Sequence, residues 1–196
     1  LIAATETTAY IRTYNKDGSI MDKSKLELGD DPQKTGVYTL EFSVVNFGTT
    51  ALTYDLSSYI MTEGVSDVKT HQGQTTVTEE GYLLNGAKFE FVVLEGGTKN
   101  GESVTVDAGN VAKIKATITL TEENKKYLDE SFANGMYVEG FVNLDAKSGT
   151  KIDLSVPYLA FYGSWAQAPL FDKDYYEPNK DELDDTIPTL DKTLPD

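Results

Sequence analysis

The sequence predicts an all-β fold, an antiparallel β-sandwich with one short helix, on three observations. Apolar and polar residues alternate with period two in several stretches, most clearly Val37–Phe47 and Val111–Leu120. Breaks containing Gly, Asn or Asp separate those stretches at short intervals. Only Thr121–Phe132 reads as a helix. Many short strands, frequent turns and a single helix fit two packed antiparallel sheets around one core.

In chain order, Glu6–Tyr14 alternates and is rich in Thr, Tyr and Ile, residues that suit a pleated, half-buried surface. Asn15–Ser19 follows as a tight turn in which Gly18 supplies the positive φ. From there to Asp31 the chain is polar and poorly periodic, and reads as a hairpin return and a loop. Val37–Phe47 is a strand with Tyr38, Leu40, Phe42 and Val44 on one face. Asn46–Thr50 turns the chain, and Ala51–Met61 continues with Leu52, Tyr54 and Leu56 inward; the two strands are expected to pair. Val65–Thr70, Thr75–Thr78 and Phe89–Leu94 are short strand candidates, and Gly96–Gly101 a flexible turn. Val104–Val106 leads through the Asp107–Asn110 turn into Val111–Leu120, where Ala112, Ile114, Ala116, Ile118 and Leu120 face inward. Thr121 can cap the helix, Glu122 and Glu123 suit the positive end of its dipole, and Asn134–Gly135 stops it. Met136–Leu144 and Ile152–Tyr158 are the last strands, joined at Asp145–Thr150, with Gly140 marking a bulge or a close contact. These elements divide the chain into an N-terminal strand-and-hairpin extension at 1–36, a sandwich at 37–172, and an acidic, Pro-containing linker or tail at 173–196. The tail is expected to drape over the domain through Tyr175 and Tyr176.

With 196 residues there is enough chain for a substantial core. The formal charge of −15 makes nucleic acid and anionic membrane surfaces poor partners. The absence of cysteine excludes disulfides, thiolate catalysis and Cys-based zinc sites. No apolar run reaches the length of a membrane span. A chain that starts at Leu1 without Met or a leader reads as a piece of something longer.

Chemistry is hard to find. The single histidine, His71, sits in a loop-like stretch with no nucleophile elbow beside it, so a surface role is expected. The 32 acidic residues offer many carboxylate pairs, but Glu90 and Glu139 read as outward-facing strand positions. Asn15, Asp17 and Asp22 have the wrong order for a calcium loop. Asp30–Asp31 and Asp181–Asp185 leave weak calcium binding open, with no metal site assigned and no other cofactor expected. No catalytic residue is assigned to this chain.

The most telling stretch is Asp153–Asp172. It begins as a strand, meets Pro157, which lacks an N–H and is expected to end the ladder, and then gathers Tyr158, Phe161, Tyr162, Trp165 and Phe171 around Gly163 and Pro169. The segment Pro157–Asp172 resembles the closing motif of the fibronectin type III-like domain found in subtilisin-like cell-envelope serine proteases of the lactocepin type. The motif positions are Pro157, Tyr158, Phe161, Gly163, Trp165, Pro169 and Asp172. Val37–Tyr54 is similar to that domain's opening strand pair, with Asn46 at the turn and Tyr54 on the return strand. Val104–Gly109 and Asn134–Leu144, with Gly140 in its Glu-Gly step, complete the resemblance. Ser164 stands where the family often has Asp, and Ala160 where Gly is common.

The resemblance implies a fibronectin III/Ig-like sandwich that is a non-catalytic accessory module of an exported protease. Its expected partners are the subtilisin-like catalytic domain, neighbouring domains of the parent chain, and peptide substrate. The location it implies is extracellular, at the cell wall or envelope of a Gram-positive bacterium. Trp165 and Phe161 are expected to be buried as a plug that closes the sandwich edge. The alternative is an adhesin or carbohydrate-binding sandwich, with Tyr158, Phe161, Tyr162 and Trp165 stacking on sugar faces.

Overall fold

The computed structural model describes residues 8–15, 17–21, 25–66, 77–150 and 152–167. The fold lies within Leu1–Trp165, the first of the two units into which the chain divides. Its elements are β1 (Ala9–Tyr14), β2 (Ile20–Met21), β3 (Leu26–Asp31), β4 (Val37–Asn46), β5 (Leu52–Val65), β6 (Val77–Leu83), β7 (Lys88–Glu95), β8 (Thr98–Asn100), β9 (Ser103–Val106), β10 (Val111–Thr119), α1 (Glu122–Ser131), β11 (Met136–Ser148) and β12 (Leu154–Tyr162). Two sheets face each other. One is five-stranded in the order β2-β1-β4-β10-β7; the other is seven-stranded, β3-β12-β11-β5-β9-β8, with β6 beside the far end of β5.

The period-two pattern determines what lies between the sheets. Leu40, Phe42 and Val44 of β4 and Ala112, Ile114, Ala116 and Ile118 of β10 meet Leu52, Tyr54 and Leu56 of β5 and Val138, Val142 and Leu144 of β11 in one core. α1 closes one end through Leu128. Its N-cap forms the reciprocal pair expected of a cap: Asn124 N–H donates to Thr121 Oγ1, and Thr121 N–H donates to Asn124 Oδ1.

Four expectations are corrected by this arrangement. β4 and β5 do not pair; β4 lies between β1 and β10, and β5 between β11 and β9, in opposite sheets. The reversal between them is an arch over the core. Asn46 fills it: Nδ2 donates to the carbonyls of Thr50, Val106 and Asp107, while Oδ1 accepts from Gly48 N–H. The loop expected before Asp31 contains β3, which pairs in parallel with β12. Its alternation is broken by a bulge, since Leu159 opposes Glu27 and Ala160 opposes Gly29, so the period-two signal is lost. Pro157 does not end a ladder. It opposes Phe141 inside β12, but β3 reaches only as far as Tyr158, so the strand has an open edge there that tolerates a residue without an N–H. Similarly, the expected turn at Gly96–Gly101 contains β8, the outer strand of a hairpin with β9.

β1 adds to the five-stranded sheet through β4, and β3 to the edge of the seven-stranded sheet through β12, so the first 36 residues contribute to both layers. The strand expectations at Val65–Thr70 and Thr75–Thr78 lie mostly outside the described residues, as do Tyr175 and Tyr176.

A candidate contact face on the larger sheet

Alternation along β5, β11 and β12 sends every second side chain away from the core, and the register aligns those residues into a grid. Met61 opposes Glu139, which opposes Leu159; Tyr59 opposes Phe141, which opposes Pro157; Tyr137 opposes Phe161. Tyr59, Tyr137 and Phe141 are exposed although large and apolar. Tyr59 and Phe141 touch with ring centroids 5.6 Å apart. Gly140 makes the grid possible from beneath. A Cβ there would lie 2.1 Å from the Tyr59 carbonyl oxygen and 2.6 Å from Tyr158 Oη, so only Gly lets β5 and the Tyr158 ring close in. Tyr158 Oη in turn donates to that Tyr59 carbonyl at 3.0 Å. Burial raises the Tyr158 hydroxyl to about 12, against the opposing pull of its bond to Ser58.

Trp165 extends the face. The chain leaves β12 at Gly163, whose φ of +127° suits Gly alone and whose N–H donates to the Asp31 carbonyl. Trp165 N–H then donates to Asp30 Oδ2 at 2.8 Å, which fixes the start of a 3₁₀ turn over Trp165–Gln167. The indole packs edge-on against Phe161, centroids 5.2 Å apart, and at a tilt against Tyr137, 5.3 Å apart. The expectation that both rings are buried holds for Phe161, at 6 % exposure, and fails for Trp165, at 59 %. Phe161 is on the outward side of β12 and lies outside the main core; it is buried because Tyr137 and Trp165 cover it. Trp165 is therefore the outer layer of an aromatic stack and not a plug between the sheets.

The remaining motif positions fall in two places. Asn46 is at the arch and Tyr54 in the core, 1 % exposed each, at the opposite end of β5 from Trp165's partners. Pro157, Tyr158, Gly140, Phe161, Gly163 and Trp165 gather on or just beneath the face. Pro169, Phe171 and Asp172 lie outside the described residues. The face itself, with Tyr59, Tyr137 and Phe141, was not singled out from sequence. The signal was available as the alternation Tyr137–Glu139–Phe141 on a strand whose other side is apolar too.

The acidic candidates serve the fold. Asp31 accepts from the backbone N–H groups of Thr35 and Gly36, and Asp17 from Ser19. Glu90 and Glu139 are exposed strand positions. His71, Asp22 and Asp181–Asp185 lie outside the described residues. Among the described residues no three His, Asp or Glu side chains are grouped to hold a metal. A hydroxyl, an amine and a carboxylate do converge at Ser103, Lys147 and Asp55. Ser103 Oγ donates to Asp55 Oδ1, and Lys147 Nζ lies 3.0 Å from the same oxygen and 3.3 Å from Ser103 Oγ. The bonds from Ser103 and then Lys147 lower the Asp55 carboxyl. Asp55 of β5, Ser103 of β9 and Lys147 of β11 thereby tie three strands together.

Comparison with known proteins agrees with this architecture. Residues 26–159 match the Fn3-like domain family. The PI-type proteinase of Lactococcus lactis subsp. cremoris is 28% identical over 134 residues, which is 68% of this chain and 6% of that protein. The PIII-type proteinase of strain SK11 and the PII-type proteinase of Lacticaseibacillus paracasei match at the same identity and the same coverage. The chain thus spans a small fraction of the curated relatives it resembles. With two facing sheets, one helix and a family match over most of its length, this chain belongs to the Fn3-like domain family.

Proposed function

We propose that this chain is a non-catalytic accessory β-sandwich of an exported subtilisin-like serine proteinase of the cell envelope. In this reading it supports the catalytic domain and helps to position polypeptide substrate. The observation that carries it is the match to proteinases of which the shared stretch is only 6%. Such a stretch is one module among many, and modules of a multidomain chain pack against neighbours through faces of moderate size. The exposed aromatic grid fits a surface that meets polypeptide.

Two measurements test the reading. The coding sequence upstream of Leu1 is expected to contain a subtilase Ser motif; several hundred residues without one would sink it. In the parent proteinase, Phe141→Ser with Tyr59→Ser is expected to weaken the handling of protein substrate. Hydrolysis of a large protein should fall more than that of a short chromogenic peptide.

A second reading, an adhesin or carbohydrate-binding sandwich, loses three of its expected rings, because Tyr158, Phe161 and Tyr162 are buried. Trp165 and Tyr137, however, are exposed adjacent rings, as stacking on a sugar face requires. Titration with cell-wall glycans, followed through Trp165 fluorescence, separates the two. A saturable change supports sugar binding, and an unchanged spectrum removes it.

A further inference from the structure

The centre of the aromatic face holds a carboxylate with no cation of its own. Glu139 is exposed between Tyr137 and Phe141 along β11, with Met61 and Leu159 on the strands to either side. Among the described residues neither the Glu139 nor the Glu63 carboxylate has a partner. Among the described residues one lysine lines the clefts beside Glu139, Lys25, and it is paired with Glu27 at 3.4 Å. Two shallow clefts, of about 240 and 270 Å³, adjoin at Glu139 and Leu159. One is walled by Tyr137 and Glu63 and the other by Phe141 and Met61.

An unpaired carboxylate among aromatic rings is suited to a cation that brings its own apolar neighbours. Ring faces attract ammonium and guanidinium groups, and the effect grows as water is displaced. The chain's charge of −15 adds long-range attraction of the same sign. We propose that this face binds an extended polypeptide segment bearing Lys or Arg between apolar side chains. The cation rests against Glu139 and over Tyr137 or Phe141, and the apolar neighbours occupy the two clefts. The proposal rests on this chain's own residues, so its failure would leave the proteinase reading standing.

The competing role for Glu139 is to keep an apolar sheet face from self-association, since inward or central charges guard exposed β-surfaces. The test uses the intact chain, whose single Trp165 touches Tyr137. Acetylated, amidated hexapeptides alternating Leu with Lys, Leu with Arg and Leu with Glu are titrated by Trp165 fluorescence and by calorimetry. The Lys and Arg peptides are expected to bind about tenfold or more tighter than the Glu peptide, and to weaken as salt is raised. Glu139→Gln should lose most of that preference, whereas Glu90→Gln on the opposite sheet should keep it. Equal affinity for the Glu peptide, or an unchanged preference in Glu139→Gln, overturns the proposal. Self-association of Glu139→Gln without any peptide binding by the parent chain overturns it too, in favour of the guarding role.

Discussion

Asn46 and Tyr38 are both buried polar residues, yet substitution should move stability in opposite directions. The Asn46 amide serves three carbonyls and one N–H at the arch between the sheets, and its own exposure is 1 %. Asn46→Ala removes those bonds and strands their partners, so urea unfolding should show a loss of about 3 kcal/mol. Tyr38 Oη is buried with no hydrogen-bond partner among the described residues. Tyr38→Phe deletes a hydroxyl that was removed from water without compensation, and should be neutral or stabilising by up to about 1 kcal/mol. The same measurement checks it, and a clear loss would mean the hydroxyl has a partner. Both places are legible in the sequence, Asn46 at a turn and Tyr38 inward. What the amide reaches is not, because Val106 and Asp107 lie some sixty positions along the chain.

At the scale of elements, the strands that alternate cleanly were legible and those with broken alternation were not. β4 and β10 have one apolar face each, and β10 pairs with β4 residue by residue from Val111–Val45 to Thr119–Val37. β3 was missed because its partner is distant and parallel, with no hairpin to announce it, and because the bulge at Leu28 breaks its period. The pairing of β4 with β5 was misjudged for a related reason. A five-residue reversal is equally compatible with a hairpin and with an arch, and only the side chain that fills it decides. The helix was legible because its cap is local chemistry. Thr121→Ala is expected to cost about 1 kcal/mol, read from thermal unfolding, while Thr121→Ser should cost little. The contact face was only half visible. Trp165 stands out in the sequence as an aromatic residue suited to a plug, but its exposure follows from where the chain leaves β12 at Gly163.

For the whole molecule, buried tyrosines set a limit on the alkaline side. Tyr38, Tyr158 and Tyr162 all have hydroxyls raised by burial, Tyr158 to about 12. A raised hydroxyl keeps its proton in the fold while the unfolded chain, titrating near the ordinary 10, loses it. The stability it contributes is complete below that ordinary value and is lost as pH rises through the folded one. Between the two, each such group should remove about 1.4 kcal/mol per pH unit. Alkaline titration is therefore expected to give a steep, cooperative unfolding step in which phenolate absorbance and circular dichroism change together. Tyr158→Phe should make the step shallower.

The parallel pairing of β3 with β12 carries a mechanical consequence. The chain enters β3 at Leu26 and leaves β12 at Tyr162, and the register places these at opposite ends of one ladder, Tyr158 beside Leu26 and Tyr162 beside Asp31. Tension drawn along the chain between those two points pulls the strands past each other, so their hydrogen bonds share the load at once and do not open in turn. The bond from Trp165 N–H to Asp30 and the bridge from Gly163 to Asp31 lie at the exit and lengthen that clamp by one turn of chain. Resistance to being pulled is governed by the rate of unfolding and not by equilibrium stability. A pull applied at Leu26 and Tyr162 would therefore meet all the bonds of this ladder together.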